Sequence, residues 1–199
     1  YIATSGGELT KFINKKKVKL IRLPVHSKNP ILIFFNSIIL IFVILFNNIS
    51  IVHARSRAPA WSCLLATKIT RRKFVTTFHG TYNFNNPIKK FYNSVMVRSD
   101  LIIAGSNFIF SHVNNNYSKY LTLKKKFLVI FRGINVDYFE PSTTLENEED
   151  SLLLKWGIDR NKKIILMPGR LTKWKGQELF SEALNLVNKE LGYESFMAI

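Results

Sequence analysis

Residues 49–81 read Ile-Ser-Ile-Val-His-Ala-Arg-Ser-Arg-Ala-Pro-Ala-Trp-Ser-Cys-Leu-Leu-Ala-Thr-Lys-Ile-Thr-Arg-Arg-Lys-Phe-Val-Thr-Thr-Phe-His-Gly-Thr. Two short β-type runs, Ile49–Ala54 and Phe74–Phe78, flank a helical pattern over Pro59–Thr70. A strand, a helix and a second strand in that order make a parallel pair joined by a crossover. The alternation continues outward. Further strands are expected at Val18–Leu23, Leu101–Ala104, Phe127–Phe131 and Lys163–Pro168. Further helices are expected at Gly7–Lys16, Pro30–Phe46, Pro87–Val97, Asn107–Tyr117, Glu148–Trp156 and Lys175–Glu190. Pro30, Pro59 and Pro87 each stand where a helix opens, a position at which a missing N–H costs nothing. The pattern predicts an α/β fold with a parallel sheet covered on both faces.

The chain has 199 residues, 47% of them apolar, and a formal net charge of +16. That apolar share suffices for a packed core and excludes intrinsic disorder. The single cysteine, Cys63, excludes a disulfide scaffold and a cysteine-rich zinc module and fits a reducing compartment. The charge is unevenly placed. Residues 1–139 carry 21 basic and three acidic side chains, a net of +18, and residues 140–199 carry eight basic and ten acidic. No carboxylate occurs between Glu8 and Asp100. The chain begins on Tyr1, in what reads as the tail of a strand running to Thr4. It ends on Ser195–Ile199, which reads as the start of a strand with nothing to pair with. Both ends look cut through secondary structure, as in a piece of a longer protein.

Residues 29–54 contain no charge. As a helix, the apolar run 31–46 is roughly 24 Å long, short of the ~30 Å hydrocarbon core of a membrane. Ile31, Phe34, Phe35, Ile38, Phe42 and Leu45 share one face. Asn36, Ser37 and Asn47 share the other with Ile33, Leu40 and Ile44. Three readings stay open: a sheet-covering helix, a transmembrane span, and a helix resting on a membrane surface with its Ile33/Leu40/Ile44 side dipped into the interface.

Ligands of open parallel sheets bind beyond the carboxyl ends of the strands. Polar clusters fall there after four expected strands: His53, Arg55, Ser56 and Arg57; His79, Gly80 and Thr81; Gly105, Ser106 and Asn107; Arg132, Gly133 and Asn135. Ser106 alone also reads as a helix N-cap. Together the clusters outline one wall of a cleft rich in cations and poor in carboxylates.

The strand Lys163–Pro168 runs into Gly169-Arg170-Leu171-Thr172-Lys173-Trp174-Lys175-Gly176 and then a helix. Gly169 permits a close backbone approach, and Arg170 and Lys175 place two cations at the helix N-terminus. That combination suits a diphosphate. The loop is neither a Walker A loop nor a Gly-x-Gly-x-x-Gly turn, so nucleotide hydrolysis and NAD chemistry are disfavoured. No Asp-x-Asp occurs, and no metal site is expected.

The strand–Gly-Arg-Leu-x₃-Lys-Gly–helix element resembles the donor-phosphate motif of retaining GT-B glycosyltransferases of family 4 (glycosyl transferases group 1). Arg132-Gly133-Ile134-Asn135 followed by Asp137-Tyr138-Phe139-Glu140-Pro141 is similar to that family's interdomain passage. Residues 51–60 and Thr76-Thr77-Phe78-His79-Gly80 look like its N-terminal half, with bacterial envelope and lipopolysaccharide enzymes as the nearest likeness. The resemblance implies two Rossmann-like domains. The N-terminal acceptor side would span 1–140 without its first strand. An interdomain segment would follow at 141–162, and the start of the sugar-nucleotide domain at 163–199. It implies that Arg170 and Lys175, with Gly169, hold the donor diphosphate and that His79 lies near the transferred sugar as the catalytic residue. Gly80, Arg55, Ser106 and Arg132 complete the expected substrate-binding set.

The implied partners are a nucleotide-sugar donor and an anionic glycan or lipid-linked acceptor, with no metal cofactor. Transfer would proceed with retention, in the cytoplasm or peripherally on the inner face of the cytoplasmic membrane through residues 31–46. The family's Glu-x₇-Glu element is expected well downstream, beyond Ile199, and the chain is expected to be inactive alone. A GT-B epimerase or phosphorylase, and a non-catalytic fragment, remain as alternatives. A nucleic-acid binder would use Lys15–Lys17, Arg71–Lys73 and Lys124–Lys126, but these lack interleaved aromatics and read as solvated loops.

Overall fold

The computed structural model describes residues 1–82, 86–121, 126–140, 146–158, 163–191 and 196–198. The chain divides into two compact units, Tyr1–Gly133 and Ile134–Ile199.

The first unit is built on four parallel strands in chain order: β3 (Ile51–Ala54), β4 (Lys73–Phe78), β5 (Leu101–Ala104) and β6 (Lys126–Val129). They follow β1 (Ile2–Thr4) and β2 (Leu20–Arg22), which form a separate parallel pair. Helix α1 (Pro30–Phe46) precedes β3. Helices α2 (Arg57–Thr70), α3 (Pro87–Asn93) and α4 (Asn107–Tyr117) make the crossovers between the four strands. Strand β4 is central, and its Phe74, Thr76 and Phe78 are buried. The buried Thr76 hydroxyl is satisfied by the Met96 carbonyl at 2.6 Å and Ser99 Oγ at 2.7 Å, so its polarity carries no desolvation penalty. Ala60, Leu64 and Ala66 of α2, Val95–Val97, Ile102, Ile109, Val113 and Tyr117 close the core. A cavity of about 400 Å³ lies between β1 and β3, lined among others by Ile2, Ala3, Leu40, Ile44 and Val52.

Helix α1 occupies the expected residues, but its faces are the reverse of the membrane-surface reading. Asn36, Ser37, Leu40 and Ile44 are buried, so the Ile33/Leu40/Ile44 side packs inward and is not free to dip into a lipid interface. The polar pair is accommodated by hydrogen bonds: Asn36 Nδ2 donates to the Pro24 carbonyl at 3.2 Å and Ser37 Oγ to the Ile33 carbonyl at 2.7 Å. Ile31, Phe34, Phe35, Ile39, Phe42, Leu45 and Phe46 face outward. Phe42 and Phe46 stack with ring centroids 6.0 Å apart. Among the described residues no helix is long and apolar enough to cross a membrane.

Several boundaries differ from expectation. In place of a helix over Gly7–Lys16 there is one short 3-10 turn, Glu8–Phe12. Its Leu9 and Phe12 are exposed, so no apolar face was available to hold a longer helix. Helix α2 starts at Arg57, which puts Pro59 third rather than first. The first four N–H groups of a helix lack intrahelical partners, so the ring is tolerated there too. Residues 94–97 tighten from α3 into a 3-10 turn.

The second unit contains α5 (Glu146–Trp156), β7 (Lys163–Ile165), α6 (Gln177–Leu191) and β8 (Phe196–Ala198). The final strand does have a partner. β8 pairs parallel with β7, Lys163 opposite Phe196, through the α6 crossover.

Candidate functional site

Because β3 to β6 are parallel, their carboxyl ends share one edge of the sheet, and the residues that leave those ends meet there. Arg55 follows β3, His79 follows β4, Gly105 and Ser106 follow β5, and Arg132 comes three residues after β6. Arg55 Nε donates to His79 Nε2 at 3.0 Å. A terminal nitrogen of Arg132 stands 2.7 Å from His79 Nδ1 and donates to the His79 carbonyl at 3.3 Å. Both arginines are exposed and the imidazole is partly covered. Burial, then the positive charges of Arg55 and Arg132, then His53, hold His79 below the ordinary histidine pKa. The ring is therefore neutral at physiological pH.

His53 and Arg57, on either side of Arg55 in the chain, make contacts of their own. His53 Nε2 lies 2.8 Å from Thr77 Oγ1, and burial and Arg55 likewise depress its pKa. Arg57 donates to Asn93 Oδ1 at 2.8 Å and stacks 4.3 Å over the Tyr82 ring. Gly105 lies close by: a Cβ there would stand in ordinary contact, 3.6 Å from the Phe78 carbonyl and 3.8 Å from Arg132 Nε.

The remaining rim positions are placed as follows. Ser106 Oγ accepts from the Ile109 N–H at 3.2 Å and caps α4. Gly80 leaves open space beside His79. Sequence reasoning collected Arg55, His79 and Arg132 as separate strand-end residues but missed that they touch. It also missed the Arg57–Tyr82 stack, a contact between residues 25 positions apart. Burial pushes the Cys63 thiol up to about 12, which leaves it a core group and not a nucleophile. Among the described residues no group of three or more His, Cys, Asp or Glu side chains could hold a metal ion.

In the second unit β7 ends at Ile165, short of the expected Pro168, and residues 166–176 join it to α6. The expected helix start at Lys175 falls in a 3-10 turn, Lys173–Lys175, and Gly176 with φ 78° breaks to the α-helix proper at Gln177. The loop is folded back on that helix. Gln177 Nε2 donates to the Arg170 carbonyl at 2.9 Å, and Thr172 Oγ1 donates to the same oxygen at 3.3 Å. Gly169 lies against the Lys175 stem, where a Cβ would meet Cδ at 3.9 Å. Arg170 and Lys175 are both exposed beside the α6 N-terminus, and Lys175 Nζ lies 4.4 Å from the Trp174 ring centroid.

An α/β chain with parallel sheets and a cationic carboxyl edge has the architecture of half of a GT-B glycosyltransferase. The family profile described as Glycosyltransferase Family 4 matches residues 2–138. The chain belongs to glycosyltransferase family 4. A glycosyltransferase from Rickettsia africae ESF-5 is 41% identical across 98% of this chain and 50% of its own, with a TM-score of 0.77. HepE of Anabaena, solved with UDP-glucose, is 15% identical across 98% of this chain and 50% of its own, with a TM-score of 0.72. The same protein solved with UDP and glucose gives 16% identity, 96% and 50% coverage, and a TM-score of 0.69. At those identities the likeness to HepE shows the fold alone. No curated protein matches. The chain spans about half the length of these solved relatives.

Proposed function

We propose that this chain is part of an enzyme that moves a hexosyl group from a nucleotide sugar to a glycan or lipid-linked acceptor, with retention of configuration, in cell-envelope polysaccharide or lipopolysaccharide synthesis. The observation that carries the reading is the loop 168–176 in a chain of this family: it brings two exposed cations to the N-terminus of α6, with the Arg170 backbone tied to that helix through its carbonyl by Gln177. Departure of a nucleoside diphosphate leaves charge on phosphate oxygens. Arg170, Lys175 and the free N–H groups of α6 stabilise that charge without a metal ion. The leaving phosphate accepts the proton of the incoming acceptor hydroxyl, which enters from the same face. His79 lies beside the transferred sugar, and Arg55, Gly80, Ser106 and Arg132 line the acceptor side. HepE was solved with UDP-glucose, and a UDP-sugar is the corresponding donor class here.

The site of action in this reading is the cytoplasmic side of the membrane. Support comes from the +18 charge of residues 1–139 and from the outward face of α1, with Phe34, Phe35, Phe42 and Phe46 more than half exposed. The experiment is transfer from a panel of labelled nucleotide sugars to membranes by the full-length protein. Labelled lipid-linked glycan that appears with one donor supports the reading. Label released only as free sugar or sugar phosphate points instead to a hydrolase or phosphorylase.

A further inference from the structure

The hydrogen bonds around the His79 ring do not close among its own neighbours. Arg55 approaches Nε2 at 3.0 Å and Arg132 approaches Nδ1 at 2.7 Å, and both approaching groups are donors. A neutral imidazole has one acceptor nitrogen and an imidazolium has none. At least one guanidinium N–H therefore points at a ring N–H. Charge is unbalanced in the same place. Among the described residues no carboxylate pairs with Arg55 or Arg132, and the carboxylate of Asp100 is committed to the Phe74 N–H at the opposite end of β4. Arg132 also donates to the His79 carbonyl at 3.3 Å, but at the ring two guanidiniums still compete for one acceptor nitrogen.

A phosphoryl oxygen supplies what is missing, since it accepts from a guanidinium fork in a charge-assisted geometry. The surroundings admit one. Gly80 leaves open space, and Gly105 keeps a side chain away from Arg132. Ser56, next to Arg55, makes no side-chain cap to the first N–H groups of α2.

We propose that Arg55, His79 and Arg132 form an oxyanion subsite that takes a phosphoryl group carried by the sugar acceptor. Assignment to the acceptor rests on the transferase reading, in which Arg170 and Lys175 already serve the donor diphosphate; the anion subsite itself does not rest on it. A phosphoryl group there relieves the donor conflict, because each guanidinium then gains an anionic acceptor in place of the contested ring nitrogen.

The chain labelled in its histidine rings is titrated with inorganic phosphate at low salt. The His79 ring signals should shift saturably while those of His26 and His112 stay in place. Arg55→Gln and Arg132→Gln should each weaken phosphate binding about tenfold or more. Both arginines are exposed, so neither change should disturb folding, which circular dichroism checks. The double variant Arg170→Gln/Lys175→Gln should bind phosphate at the His79 site as the parent does, and added UDP should not displace it. A His79 ring unmoved by phosphate, or equal affinity in the Arg55 and Arg132 variants, overturns the subsite. Displacement by UDP overturns the assignment to the acceptor. Phosphate binding at His79 in a full-length protein that transfers no sugar would keep the subsite and remove the transferase reading.

Discussion

The Arg132 guanidinium stands 2.7 Å from Nδ1 of His79, a residue 53 positions earlier in the chain. The contact crosses from the end of β6 to the end of β4, over the end of the intervening β5. It is possible because the strands are parallel and in sequence order, and the small Gly105 at the end of β5 leaves the path open. Electrostatics follow from it. Removing the Arg132 charge eases protonation of the ring, so Arg132→Gln should raise the His79 pKa toward the ordinary histidine value. Ring chemical shifts against pH measure this, and an unmoved midpoint would contradict the contact.

Gly105 gives a graded version of the same experiment. The 3.6 and 3.8 Å spacings are ordinary van der Waals contacts, so Gly105→Ala should leave the His79 titration nearly unchanged. Gly105→Val adds branches that Arg132 must avoid, and the His79 pKa should rise. Equal titrations for the alanine and valine variants would show that Arg132 does not depend on this opening.

The depressed histidines, His53 and His79 with His112, also contribute to acid sensitivity. His53 and His79 both titrate below 6.5 when folded. As pH falls below that value the unfolded chain takes up protons that the folded one refuses, so stability declines. The urea midpoint should be lower at pH 5.5 than at pH 7.5, and His53→Gln/His79→Gln should lessen that drop. An identical drop in the double variant would assign the acid sensitivity elsewhere.

Helix α1 separates core from surface within one element. Leu40 and Ile44 are buried at 7% and 1% exposure, so Leu40→Ala or Ile44→Ala should cost about 2–5 kcal/mol. Phe46 is 82% exposed, and Phe46→Ser should change stability by only about 0.5 kcal/mol. Chemical denaturation of the variants checks the assignment of faces. Comparable losses for Phe46 and Ile44 would refute it.

Legibility from sequence followed how local the determining physics was. Helices α1 and α4 were placed to the residue because Asn29 and Ser106 supply side-chain caps, and Pro30 pre-sets the first turn of α1. The strands β3 to β6 were readable as apolar runs between turns. What could not be read was non-local. The periodicity of α1 divided its faces but not their direction, because inward Asn36 and Ser37 depend on the Pro24 carbonyl and on close packing against α2. The Gly7–Lys16 helix failed for want of a surface to bury its apolar side chains, which no local propensity reports. At the site, each rim residue was visible as a polar group at a strand end. The convergence of Arg55 and Arg132 on one ring required the strand order.

The central claim, that Arg170 and Lys175 hold a leaving nucleoside diphosphate, is tested most directly by sugar-transfer turnover of the full-length protein carrying Arg170→Ala or Lys175→Ala. Both side chains are exposed, so the unfolding midpoint should not move. Turnover should fall by roughly 10²-fold or more. Unchanged turnover in a folded variant would contradict the account.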